Sequence, residues 1–202
     1  MARTKGDHEA RRRDVSEAVW QVMATRGFSG LTLRAVADQL RATTGLLTHY
    51  FPNKRALVTY ALDLLEERTA SRPRRPAGEG IEALRAALLD MLPLTEETTS
   101  TNRIWVSSWD QALSDPDLTD AYARKYAQSR ATLRDRVAAA QELGDLPPGD
   151  PEHIAAGVQS FVLGLVVQAL FAPSAFTPSR QIELLEEHLA AIAVPRPLED
   201  PH

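Results

Sequence analysis

Between Arg41 and Val58 the sequence reads RATTGLLTHYFPNKRALV, eighteen positions that hold three threonines, an imidazole, a phenol and a Pro-Asn-Lys turn. Thr43, Thr44, Thr48 and His49 carry small or planar polar groups that could face a partner. Gly45 lets a backbone come close to a partner. Two uses compete for such a mixture. It could be an ordinary helix end followed by a surface turn, or one short helix could present these side chains outward while Leu47 and Phe51 hold it to a core.

Other chemistries find little support. Serine, histidine and aspartate are present, but no Gly-x-Ser-x-Gly elbow, phosphate loop or His-Glu-x-x-His motif frames them, so no enzyme is expected. With no cysteine there is no disulfide, thiol nucleophile or Cys-ligated zinc. His49 has no second ligand at i+4, and neither metal nor cofactor is expected. The start, MARTKGDHEARRRD, has no apolar core like that of a secretory signal, and a cytoplasmic location is expected.

Charge is distributed unevenly. Residues 1–54 hold nine Lys/Arg against five Asp/Glu, a net of +4, whereas the remainder holds fourteen against twenty-two, a net of −8. A basic end on an acidic body can face a polyanion with one end only.

Hydrophobic period indicates which elements carry these residues. Val15, Ala18, Val19, Val22 and Met23 form one face of a helix over 8–26, ending at Gly27. Thr32 can cap LRAVADQL, with Leu33, Val36, Ala37 and Leu40 inward. TTGLLTHYF makes a third, short helix, and a longer fourth follows with Leu57, Val58, Ala61, Leu62 and Leu65 inward. RPRRPAGEG, 72–80, is the expected break. Beyond it, helices are expected near 80–92 and 99–113. Three more open at Asp115-Pro116, Asp150-Pro151 and Thr177-Pro178, running to about 143, 172 and 193. The fold class is all-α: a small N-terminal helical unit and a larger C-terminal bundle, about nine helices in all. Ile154 to Phe176 contains no charge, but Gln159, Ser160, Gln168 and Pro173 interrupt it. It reads as the centre of a bundle or a subunit interface and not as a membrane span.

Two short helices joined by a tight turn resemble a helix-turn-helix. More specifically, GFSGLTLRAVADQLRATTGLLTHYFPNKRALV resembles the TetR family of transcriptional regulators, from the Gly-Phe after the first helix through Gly45, Leu47, Tyr50 and Phe51 to Lys54. Trp109, Asp115-Pro116 and Gly144-Asp145-Leu146 add a likeness to BetI-like effector domains. Two positions depart from the pattern: the turn glycine is Arg41, and the phosphate-binding tyrosine after Leu47 is Thr48.

The resemblance implies a homodimeric regulator, most simply a repressor that binds a palindromic operator in double-stranded DNA and leaves it on taking up a small molecule. Residues 1–54 would be the helix-turn-helix domain and 55–202 the ligand-binding and dimerisation domain. Thr43, Thr44, Gly45, Thr48 and His49 would face the bases, with Thr32, Arg34, Tyr50 and Lys54 on phosphates. Arg11, Arg12 and Arg13 could extend that footprint. Trp105, Trp109, Tyr126, Phe161 and Gln168 are the expected ligand-binding residues, with plain core as the alternative. Gly157, Ser160 and Gly164, with Leu185, Leu189 and Ile192, are the expected dimer interface, the alternative being packing within one chain. An effector-independent helical DNA binder or scaffold is the other reading that remains.

Overall fold

Val15, Ala18, Val19, Val22 and Met23 are each at most 4% exposed in α1 (Lys5–Arg26), as their spacing requires. The computed structural model describes residues 5–76 and 78–194, and every regular element among them is a helix. α1 ends where Gly27 takes a φ of +65° and returns its N–H to the Met23 carbonyl at 2.9 Å. Phe28 and Leu31, both fully buried, fill the turn. Thr32 Oγ1 then accepts the Ala35 N–H at 3.0 Å and caps α2 (Leu33–Leu40). α3 (Thr44–Leu47) is a single turn. Asn53 accepts the Ala56 N–H at 2.9 Å and starts α4 (Lys54–Ala70).

α4 buries Leu57, Val58, Ala61, Leu64 and Leu65. Leu62, expected inward, is only half-buried. At 100° per residue it lies roughly 100° around the helix from the centre of that face, and Leu64 takes its place.

The later helices are α5 (Gly80–Leu89), α6 (Glu96–Ser107), α7 (Trp109–Ser114), α8 (Pro116–Glu142), α9 (Pro151–Phe171) and α10 (Pro178–Ile192). All three Asx/Thr-Pro starts form as expected. Asp115 Oδ1 accepts from Asp117 N–H (3.0 Å), Asp150 Oδ1 from Glu152 N–H (3.0 Å) and Thr177 Oγ1 from Arg180 N–H (3.3 Å). The single helix expected over 99–113 is instead two. Ser108, 1% exposed, donates its hydroxyl to the Trp105 carbonyl at 2.6 Å, and its N–H is shared between Ile104 and Trp105 at 3.2 Å each. That local competition with the helical ladder separates α6 from α7.

The chain divides into two compact units, the first running to Arg72 and including Arg103–Leu118, the second comprising Pro73–Asn102 and everything from Thr119. The first boundary falls inside the proline-rich stretch. α4 and the α6–α7 corner thus pack with the N-terminal helices. In the second unit α9 is 21 residues long and, by length and composition, apolar enough to cross a membrane. Ala155, Val158, Gln159, Val162, Leu165, Val166 and Ala169 are nevertheless buried in the chain's own core. Its opposite line, Gly157, Ser160, Gly164, Gln168 and Phe171, is exposed.

Arg41 closes α2 at φ 51°, ψ 41°, the one left-handed non-glycine residue among those described. Ala42 N–H reaches back to the Ala37 carbonyl at 3.0 Å, the six-residue closure that such a cap makes. A side chain in this region costs about 1 kcal/mol, and Arg41 is exposed with no packing to lose. Arg41→Gly should therefore raise the stability of the first unit by up to about 1 kcal/mol, read as a higher urea midpoint. A lowered midpoint would mean that the guanidinium makes a contact worth more than the strain.

Candidate nucleic-acid interface

A single helical turn cannot hold itself in water, so α3 depends on what lies behind it. Leu47 is fully buried and Phe51 is 4% exposed. Tyr50 and Phe51 both donate their N–H to the Leu47 carbonyl, at 2.9 and 2.8 Å, which extends the anchor one turn further. The Phe51 ring meets Tyr60 of α4 at 5.1 Å between centroids, and the Tyr60 hydroxyl bonds Ser16 of α1. Farther along α4, Arg68 lies 4.4 Å over the Trp20 ring and pairs with Glu17 at 2.6 Å. Hydrogen bonds from Gln21 and Arg68 hold the Glu17 carboxyl below its ordinary range. At the start of α4, Arg55 pairs with Asp115 and Asp117 at the opening of α8.

The other side of this anchor is open. Thr32, Arg34, Thr43, Thr44, Gly45, Thr48, His49 and Lys54 are all exposed, and Tyr50 is half-buried. All nine residues expected at DNA thus lie in the first unit: Arg34 on α2, Thr44 and Gly45 on α3, Lys54 opening α4, and the other five in the caps and turns beside these helices. Thr32 accepts at Ala35 N–H and so keeps its hydroxyl proton for a phosphate. Thr43 precedes α3 without a side-chain cap bond, leaving its hydroxyl unengaged by the helix. Thr48 differs: its hydroxyl donates to the Gly45 carbonyl at 2.8 Å, so only its lone pairs face outward. Arg34, Arg41 and Lys54 form no ion pair among the described residues, and Arg11, Arg12 and Arg13 are exposed on α1. Cations without carboxylate partners, beside small hydroxyls and a helix start, suit phosphate and groove edges.

The residues expected at a ligand are distributed differently. Trp105 and Trp109 are half-buried in the first unit, where the Trp105 indole N–H reaches Thr69 Oγ1 at 3.4 Å. Tyr126 and Phe161 are half-buried in the second. The Tyr126 ring lies 6.2 Å from Tyr122, its carbonyl accepts from Gln159 Nε2 at 3.2 Å, and Phe161 stacks on His188 at 4.0 Å and 3°. Burial pushes the His188 imidazole below its ordinary range. Gln168 is exposed, four residues beyond Gly164 on the outer line of α9. A cavity of about 620 Å³ opens at the end of α8 beside Leu146, Pro148 and Val194, and none of the expected ligand residues lines it.

The dimer set also divides. Gly157, Ser160 and Gly164 are exposed and Ile192 is half-buried, but Leu185 and Leu189 are 0% and 3% exposed. These two leucines belong to the protomer's own core, because the apolar stripe of α10 packs inward. The buried Gln159 and the Phe161–His188 stack carried no sequence signal, since each depends on a partner at least twenty-seven positions away.

Two family models match the chain: "Bacterial regulatory proteins, tetR family" over residues 16–61, and "BetI-type transcriptional repressor, C-terminal" over residues 80–194. The HTH-type transcriptional regulator PksA of Bacillus subtilis (strain 168) is 28% identical over 192 residues, covering 93% of this chain and 92% of PksA. The HTH-type transcriptional regulator BetI of Burkholderia thailandensis is 26% identical over 196 residues, covering 95% and 97%. Among solved structures, a transcriptional regulator from Saccharomonospora viridis in complex with choline gives a TM-score of 0.82 at 20% identity, covering 93% of this chain and all of that one. A regulator from Rhodococcus sp. Rha1 gives 0.75 at 24%, covering 92% and 98%. At these identities the structural likeness shows the fold.

If Lys54 meets a phosphate, Lys54→Ala should flatten the slope of log affinity for bound duplex against log salt by about two per dimer, at about 0.9 for each neutralised charge. Thr44→Ala should alter sequence preference more than slope. Titrations at four salt concentrations decide, and an unchanged slope removes Lys54 from the interface.

Proposed function

The chain belongs to the TetR family of transcriptional regulators, with a BetI-type C-terminal region, and from that premise we propose that it is a homodimeric repressor that holds a palindromic operator and leaves it on binding a small molecule. It regulates transcription, as its relatives do, and is not an enzyme. Such a regulator works in the cytoplasm, where its DNA is.

One observation carries the DNA-binding part. Thr32, Arg34, Thr43, Thr44, Gly45, Thr48, His49 and Lys54 are exposed and Tyr50 is half-buried, while Leu47 and Phe51 tie the same segment to a core. Residues 1–54 form the reading head in this proposal, and α4 leads into an input and dimerisation region over 55–202.

Dimerisation through α9 is supported by its exposed line. Nothing lies within 4 Å of where a Cβ would stand at Gly157 or Gly164, and Phe171 at the end of the line is 81% exposed. Small residues over about two turns allow a symmetry mate to approach closely and cover apolar surface. Ile192 of α10 would border the same contact. Two-fold pairing of the heads then calls for a roughly palindromic site.

The ligand is proposed to be a small molecule with a compact cationic or apolar body, and choline is the first to test because a regulator of the same fold was solved with it. Trp105 and Trp109 offer ring faces suited to such a cation, with Tyr126 and Phe161 as further aromatic candidates. Choline should quench tryptophan fluorescence and weaken operator binding, and operator DNA should lower choline affinity by the same factor. A protein bound to its operator that responds to neither choline nor related metabolites would instead be an effector-independent DNA binder.

Gly164→Arg tests the assembly. The open space at Gly164 lets the protomer fold with arginine there, whereas a dimer through α9 would press each charge against its mate. Sedimentation should show a folded monomer, with operator affinity reduced by orders of magnitude because each head keeps half the contacts. A variant that remains dimeric moves the interface elsewhere.

A further inference from the structure

Both backbone groups of Phe28, in the turn between α1 and α2, are held by side chains from the α6–α7 corner of the same unit. Its N–H donates to Ser107 Oγ at 3.2 Å, and its carbonyl accepts from Gln111 Nε2 at 3.3 Å as well as from Leu31 N–H at 3.1 Å. The Ser107 proton goes to the Ile104 carbonyl at 2.9 Å, so at Phe28 this hydroxyl acts as an acceptor. Ser107 ends α6 and Gln111 is the third residue of α7, and the break at Ser108 directs both to one turn. Gly27 supports the turn by its φ of +65°, which side-chain-bearing residues rarely adopt; a Cβ there would meet Ser107 Oγ at an ordinary 3.4 Å.

One hydrogen bond is a hinge, but two on opposite sides of a residue fix its orientation. The Phe28 side chain is itself fully buried, so the turn cannot swivel about that anchor without losing a bond. Three residues on, fully buried Leu31 leads into Thr32, the cap of α2, and α2 carries the chain on to α3. Trp105 and Trp109 stand two residues to either side of Ser107, so the proposed ligand residues sit on the same corner as the clamp.

We propose that Ser107 and Gln111 are positioning residues for the reading head, holding the α1–α2 turn to the α6–α7 corner so that the setting of α2 and α3 is fixed through the Phe28 backbone as well as through α4. The proposal rests on the DNA-binding reading above. Neither residue touches DNA in it, and both act through Phe28.

The test uses the full chain and a duplex that the wild-type protein retains from a random pool. Ser107→Ala and Gln111→Leu should each weaken binding about fivefold to tenfold, the range expected for losing one such bond. Ser107→Thr, which keeps the acceptor, should stay within about twofold of wild type. Amide hydrogen exchange supplies a readout that general loosening cannot imitate: in Ser107→Ala the Phe28 amide should exchange faster while those of Val19 and Val22 stay protected. Unaltered affinity in both variants overturns the proposal, as does exchange that accelerates throughout α1 and α2. Should Ser107→Ala fail to fold, Gln111→Leu at its half-buried position decides by affinity alone. A wild-type protein that retains no duplex sinks the DNA-binding reading and the proposal with it, whereas wild-type binding with unaffected variants sinks the proposal only.

Discussion

A four-residue helix has to be held by something other than itself, and that constraint governs the first unit. α3 forms one turn, too little to repay nucleation, so burial of Leu47 and Phe51 supplies what hydrogen bonding within the helix cannot. Everything behind it serves that anchor: Tyr60 against Phe51, Ser16 on Tyr60, Arg68 between Trp20 and Glu17. The outward side carries small polar residues, of which Thr48 also closes on the Gly45 carbonyl. Arg41 ends α2 in the left-handed region, and α3 begins three residues later.

The proposed function depends on two surfaces that the chain leaves uncovered. One is the basic, hydroxyl-rich face of the reading head, whose net +4 over residues 1–54 contrasts with the −8 of the rest, so that a polyanion is drawn to one end. The other is the small-residue line of α9. Its inner side is core in the ordinary sense, and its outer side ends in Phe171, which is 81% exposed.

Much of this was legible in the residues, and the failures share a cause. The α1 stripe, the three Asx/Thr-Pro starts, the Thr32 cap and the left-handed Arg41 follow from interactions within four or five residues, which spacing and residue type record directly. Periodicity also found the apolar stripe of α10, but a stripe reports only that a face is covered and not by which chain. Leu185 and Leu189 therefore turned out to be core. Ser108 broke a helix through one hydroxyl, and Ser107 and Gln111 reach a backbone some eighty positions away. Neither leaves a pattern in composition.

The most direct measurement is a selection of bound sequences from random duplex DNA, followed by sequencing of what the protein retains. Enrichment of one motif with two related half-sites in inverted order is the expected result, because two copies of the α3 face must meet two copies of one sequence. A retained pool indistinguishable from the input, or one enriched only for charge-driven binding without symmetry, would contradict the assignment of Thr43 to Lys54 as the reading surface.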